Sequence, residues 1–220
     1  MKHFRTLLLI IVLSLISSSC KKKEEDPTPE TTASSLLSEG KSIQEVLNLG
    51  YSPFDIYLAN PVYLNSLYGK IYSGGYIFHL NTTTGSGLIA GKNDIGEDAT
   101  WDCCSCRQIT EADGDNFGSG KNNTYHINLE CYSYKSPAGL SENVGQNWFL
   151  PSRTSLEAMY TRLHLKGIGN FVETGNVYIS STHKDNYSQG IYSINFSTGE
   201  EKLVGREGNY RVRAVTTFNP

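Results

Sequence analysis

Four cysteines, Cys103, Cys104, Cys106 and Cys131, are the residues whose type and spacing most directly invite chemistry in this chain. In an oxidising compartment they can form disulfides, and four thiols allow three pairings. Adjacent Cys103 and Cys104 cannot close on each other without strain, which favours two bridges with Cys131 joined to one member of the cluster. A zinc site using the same thiols and His126 is the rival reading. Structural zinc ligands come as two separated pairs, whereas here three cysteines crowd one turn, so no metal is expected. Free thiols in an anaerobic habitat are the third alternative.

Other spacings imitate chemistry and then break down. With Asp113 as the first position of a calcium loop, Thr124 stands where a bidentate Glu is required. Residues 114–121 approach a phosphate loop, yet the first glycine comes one position early and Asn122 occupies the magnesium-binding Ser/Thr position. Ser181, His183 and Asp185 alternate as a strand would present them, but nothing nearby supplies an oxyanion hole or a buried orienting carboxylate. No pair of carboxylates can be assigned to a glycosidase cleft, where they would stand about 5 to 9.5 Å apart. No cofactor follows from any of these, and an enzyme is a distant third among the functional readings.

The fifth cysteine has a different setting. Lys2 and Arg5 precede an apolar run over 7–13, then small residues, then Cys20, the order of an export signal. That run is about ten residues, or ~15 Å as a helix, against a hydrocarbon core of ~30 Å, so it does not span a bilayer. Cys20 at the junction of small and charged residues resembles a bacterial lipobox, with Ser17 in place of the usual Leu, and its thiol is the expected lipidation point. Lys21, Lys22 and Lys23 followed by Glu24, Glu25 and Asp26 resemble the surface-export signal of lipoproteins in one Gram-negative phylum. The expected address is therefore the outer face of the outer membrane, with a periplasm-facing lipoprotein as the alternative. The resulting division is a signal peptide over 1–19, a disordered tether over 20–35, a short helical lead-in over 36–69 and a main domain over 70–220.

Val46 with Leu47, Ile56 with Tyr57 and Leu67 with Tyr68 recur at about ten-residue spacing between glycines and Asn60, which predicts two or three short helices forming a small stalk. From Lys70 the texture turns to strands: 76–80 and 88–90 about a Thr/Gly-rich turn, 178–181, 190–196 as a half-buried strand, and 210–216 as one final strand. At the centre, 148–150 reads as a short strand that Pro151 stops. Ser152 or Thr154 then caps a helix carrying Leu156, Met159 and Tyr160. With 21 glycines and 14 tyrosines the chain suits turns and sheets; its net charge of -3 is small, but loss of the leader removes Lys2 and Arg5 and leaves the mature chain about two charges more acidic, which makes nucleic acid a poor partner.

Several motifs occur in a telling order: G-G-Y-I-F-H-L (74–80), G-L-I-A (87–90), Trp101 with Cys103, G-S-G-K-N-N-T (118–124), Cys131, W-F-L-P-S (148–152), Y-I-S-S (178–181) and R-V-R-A-V (211–215). In this order the chain resembles the Lcl C-terminal domain family over about two thirds of its length. The resemblance implies an α+β, C-type-lectin-like domain with twisted antiparallel sheets and short helices, a binding role without catalysis, and a Cys103–Cys131 bridge. Some relatives bind sulfated glycans, but this chain lacks their basic balance. Asn186, Tyr187, Gln189, Arg206, Asn209 and Tyr210 fall in the last third, in stretches expected to be loops, and form the candidate ligand set. Tyr offers wide contact at low entropic cost, while Asn and Gln adapt their hydrogen bonds. The leading expectation is a surface-anchored binding protein for a glycan or a cell-surface protein; the alternative is a structural or assembly component of the envelope.

Overall fold

Helix starts recur every ten residues at the beginning of the described chain. Thr32, Ser42 and Ser52 each accept the backbone N–H three residues on. The side chains of Ser35, Glu45 and Asp55 return the bond, so α1 (Ala33–Ser38), α2 (Ile43–Asn48) and α3 (Pro53–Ala59) open with reciprocal caps. Gly40 and Gly50, at φ +91° and +98°, supply the left-handed residues just beyond the first two helices. A 3-10 turn over Pro61–Tyr63 and the short α4 (Leu64–Leu67) complete the segment. The computed structural model describes residues 31–101, 109, 111–131, 133–184 and 190–220. The leader, Cys20, Cys103, Cys104 and Cys106 lie outside them.

Two expectations change here. The tether, expected to run through Ser35, gives way to helix from Ala33, because the Thr32 cap is formed and Ala33 and Leu36 are buried. Nor do the helices stand apart as a stalk. Val46, Leu47, Ile56 and Leu67 share a core with Ile77, Leu80, Ile89 and Phe218, and Thr32–Pro220 is one unit.

Among the described residues the strands are β1 (Ile71–Tyr72), β2 (Gly75–Leu80), β3 (Gly87–Ala90), β4 (Gly96–Ala99), β5 (Tyr178–His183), β6 (Ile191–Ile194), β7 (Glu201–Val204), β8 (Tyr210–Val212) and β9 (Val215–Phe218). Three further helices, α5 (Ser119–Glu130), α6 (Pro137–Asn143) and α7 (Arg153–Arg162), lie between β4 and β5. The chain is α+β, with an antiparallel sheet ordered β1-β2-β3-β9 and a second sheet ordered β4-β8-β5-β6-β7. Only the β5–β8 contact in the second sheet is parallel among the described pairings. The β2–β3 hairpin is as expected, closed by the Asn81 N–H donating to the Ser86 carbonyl at 2.8 Å.

Alternation in the first sheet divides two cores. Ile77, Ile89 and Phe218 face the N-terminal helices, while Phe78, Leu88, Ala90 and Val215 join Leu156, Met159 and Leu163 around α7. A register shift between Ile77 and His79 lets Leu80 return to the helix side. A further cluster, with Trp101, Ile127, Leu150, Ile179, Ile191, Tyr210 and Val212, packs against the second sheet.

The final strand expected over 210–216 is two strands in two sheets. The break comes at Arg213, whose guanidinium is wholly buried and turns inward to Asp94, with Nε and Nη2 each 2.7 Å from Oδ1. Its Nη1 donates to the Gly91 and Gly169 carbonyls at 2.9 and 2.7 Å. The Phe171 ring lies beneath it at 4.1 Å. The Tyr178 hydroxyl donates to Asp94 Oδ2 at 2.7 Å, so both carboxylate oxygens are engaged. The strand expected over 190–196 is also more enclosed than a half-buried one. Flanked by β5 and β7, it buries Ile191 and Ser193 as well as Ile194 and Phe196.

Removing one member of a buried ion pair strands the other, which typically costs about 3 to 5 kcal/mol. Arg213→Ala and Asp94→Ala should each lower the urea unfolding free energy by roughly that amount. The double variant should lose clearly less than the sum.

Candidate ligand-binding groove

The site is built from the first turns of α5 and the stretch that precedes α7. Helix α5 buries Gly120, Asn123, Thr124 and Ile127, a spacing that keeps one face against the protein. Gly120 sits where a Cβ would collide with the Leu150 carbonyl, so helix and corner touch backbone to backbone. Thr124 Oγ1 then accepts the Leu150 N–H at 3.0 Å. On the other side Phe149 and Val215 exchange two N–H to carbonyl bonds, both at 2.9 Å. The expected 148–150 strand is this single bridge. Ser152 caps α7, as expected.

Just before it the chain turns sharply. The Trp148 N–H donates to the Gly145 carbonyl at 3.2 Å, and Asn147 adopts φ +70°, a conformation Asn tolerates well. The Asn147 carbonyl accepts the Thr216 hydroxyl at 2.9 Å, and its side-chain oxygen accepts Lys121 Nζ at 3.2 Å. Trp148 is half-buried, its ring packed beside Gly91 and Gly145. It lines a groove of about 310 Å³ together with Lys121, Tyr125, Glu142, Gln146 and Asn147. Lys121 and Tyr125 stand one turn apart on α5 and so share a side. Tyr125 is 57 % exposed.

A second hollow, of about 280 Å³, lies by the start of α5, where the His79 ring stacks on Phe117 at 3.7 Å beside Asn81, Ser86 and Thr217. Burial, and then the charge of Arg162, push His79 down to about 4, so its imidazole is neutral at pH 7.

Behind the groove the polar side chains are engaged with one another. The Asn123 amide bonds the Gly114 backbone in both directions and reaches Ser181 Oγ at 3.2 Å. Ser181 donates its N–H to the Pro151 carbonyl at 2.7 Å and its hydroxyl to the same oxygen at 3.1 Å. Thr182 Oγ1 accepts the Arg153 N–H at 3.0 Å. Thr182 and His183, beyond the strand expected over 178–181, are the buried end of β5.

Three of the expected ligand residues fall among the described ones. Asn209 is exposed, but Arg206 and Tyr210 are each only 4 % exposed. The Tyr210 hydroxyl donates to the Gly205 carbonyl, and its ring packs in the core with Trp101 and Val212. A Tyr-rich composition does not separate a loop tyrosine from one facing inward on a strand. Asn186, Tyr187, Gln189 and Asp185 lie outside the described residues. Cys131 is buried, with its sulfur 3.5 Å from the Trp101 carbonyl, and its expected partners lie outside too. Among the described residues no group of three His, Cys, Asp or Glu side chains is placed to hold a metal, and no helix is long and apolar enough to cross a membrane.

The groove was not legible in the sequence. Lys121 and Asn122 read only as failed phosphate-loop positions, and the Gly, Asn and Thr of the buried α5 face gave no apolar stripe. No protein-family model matches the chain, and no curated protein matches it.

His183 makes the stability depend on pH. Burial, then the nearby charge of Arg206, lowers its imidazole to about 4. Its pKa is thus lower folded than unfolded, so its contribution to stability is intact above about pH 6.5 and is lost as the pH falls toward 4, by up to about 1.4 kcal/mol per pH unit. His79, lowered to about 4 as well, adds a parallel loss, so urea unfolding across that window should show the combined decline, and His183→Gln should make it shallower without abolishing it.

Proposed function

We propose that this chain is a lipid-tethered binding protein that holds a glycan or a cell-surface protein at the bacterial surface without transforming it. The observation that carries the reading is the groove at Trp148, where two accessible aromatic rings stand among amide, carboxylate and ammonium groups on backbone fixed from three sides. Clefts of this kind, apolar surface with a few placed polar groups, are the usual form of a small-ligand site. The resemblance to the Lcl C-terminal domain family, with the C-type-lectin-like fold it implies, points the same way, and the α+β architecture is compatible with it. The non-catalytic part of the reading draws support from Ser181, whose hydroxyl is committed to the Pro151 carbonyl. The export signal, Cys20 and the charged run after it support the address.

An envelope structural or assembly role is the second reading. It is favoured by Leu49, Leu58 and Val62 of the N-terminal helices, each more than half exposed. Large apolar side chains left open to water are suited to covering by another chain.

Metabolic fatty-acid labelling should mark the wild type and leave Cys20→Ala unmarked, and protease added to whole cells should remove the domain while a periplasmic control survives. A glycan array probed with the full-length protein should give saturable binding. Silence on the array with co-purification of one envelope protein would favour the second reading.

A further inference from the structure

We infer that the Trp148 groove takes one uncharged hexopyranose ring, such as the terminal sugar of a glycan; this rests on the binding function proposed above and names its ligand class. Size is the first consideration. A volume of about 310 Å³ is at the lower end of the ~300 to 1,000 Å³ occupied by small-molecule sites, which suits a single ring better than an extended oligomer.

Chemistry is the second. A pyranose offers a C–H face and a rim of hydroxyls, each both donor and acceptor. The Trp148 and Tyr125 rings supply surface for the face. Gln146 and Asn147 supply amides, Glu142 accepts and Lys121 donates, matching a rim of hydroxyls.

Charge is the third and selects within sugars. Lys121 and Glu142 bring one charge of each sign to the lining, and Lys121 is already partnered by the Asn147 side-chain oxygen at 3.2 Å. A sulfated or carboxylated ring would meet Glu142 without a surplus of cations to hold it. Neutral hydroxyls meet no such opposition.

Preorganisation is the fourth. The Asn147 carbonyl, the Phe149 backbone and the Leu150 N–H are each anchored to a different element, so Trp148 is presented on fixed backbone.

Saturation-transfer NMR on the full-length protein tests this with methyl glucoside, galactoside and mannoside and with a heparin-derived sulfated disaccharide. At least one uncharged glycoside should bind saturably, with little change between about 0.05 and 0.5 M salt. Trp148→Ala should weaken it at least about tenfold. Tyr125→Ala, at an exposed position that does not endanger folding, should weaken it severalfold. Binding of the sulfated disaccharide alone, salt-dependent and lost in Lys121→Met, would overturn the inference. So would an array glycan whose binding survives both aromatic variants, or a polypeptide ligand displaced from the groove by Trp148→Ala. Those three outcomes leave a tethered binding protein standing, whereas no ligand of any class for the wild type would remove that reading and this one together.

Discussion

A buried guanidinium joins the two sheets. Arg213 lies where the chain leaves β8 for β9, and an unpaired cation there would carry a desolvation penalty of several kcal/mol. Asp94 and the carbonyls of Gly91, Gly169 and Asn170 surround it, with Phe171 stacked on one face. Each acceptor comes from a segment with no regular structure of its own, so satisfying the charge also fixes those segments. Gly91 is among them, and Gly91 packs beside the Trp148 ring. The floor of the groove is thereby linked to the joint between the sheets.

A second polar layer does similar work near the start of α7. Apolar packing there would fix distance but not direction. Asn123, Ser181, Thr182 and the Pro151 carbonyl instead set angles, because each hydrogen bond fails outside a narrow geometry. Ser152 adds a bond to the Asn116 carbonyl at 2.8 Å while capping α7. The groove therefore belongs to helix and corner positions whose supports are themselves partnered, an arrangement suited to recognition by a preformed surface.

Legibility in the sequence followed the kind of force at work. The short N-terminal helices, the β2–β3 hairpin and α7 are specified by neighbours along the chain, and all were readable. The division of the last strand was not, because Arg213 looks like any outward residue of an alternating strand until Asp94 is found across the fold. Helix α5 was missed because its inward face carries Gly120, Asn123 and Thr124, chosen for close approach and hydrogen bonding. The tyrosines misled for a related reason: Tyr178 and Tyr210 are core rings with a bonded hydroxyl, and composition counts them together with exposed ones such as Tyr125.

The pairing of Gly87 with Phe218 has a consequence for how the molecule forms. Phe218 is part of the same core as Ala33 and Leu36, so the helices α1 to α3 are sealed by β9, a strand far along the chain from them. Contacts this distant along the chain slow folding, since the intervening loop must be closed before they reward it. A chain in which β9 has not yet paired leaves that core open on one side, so α1 to α3 and β9 become ordered together.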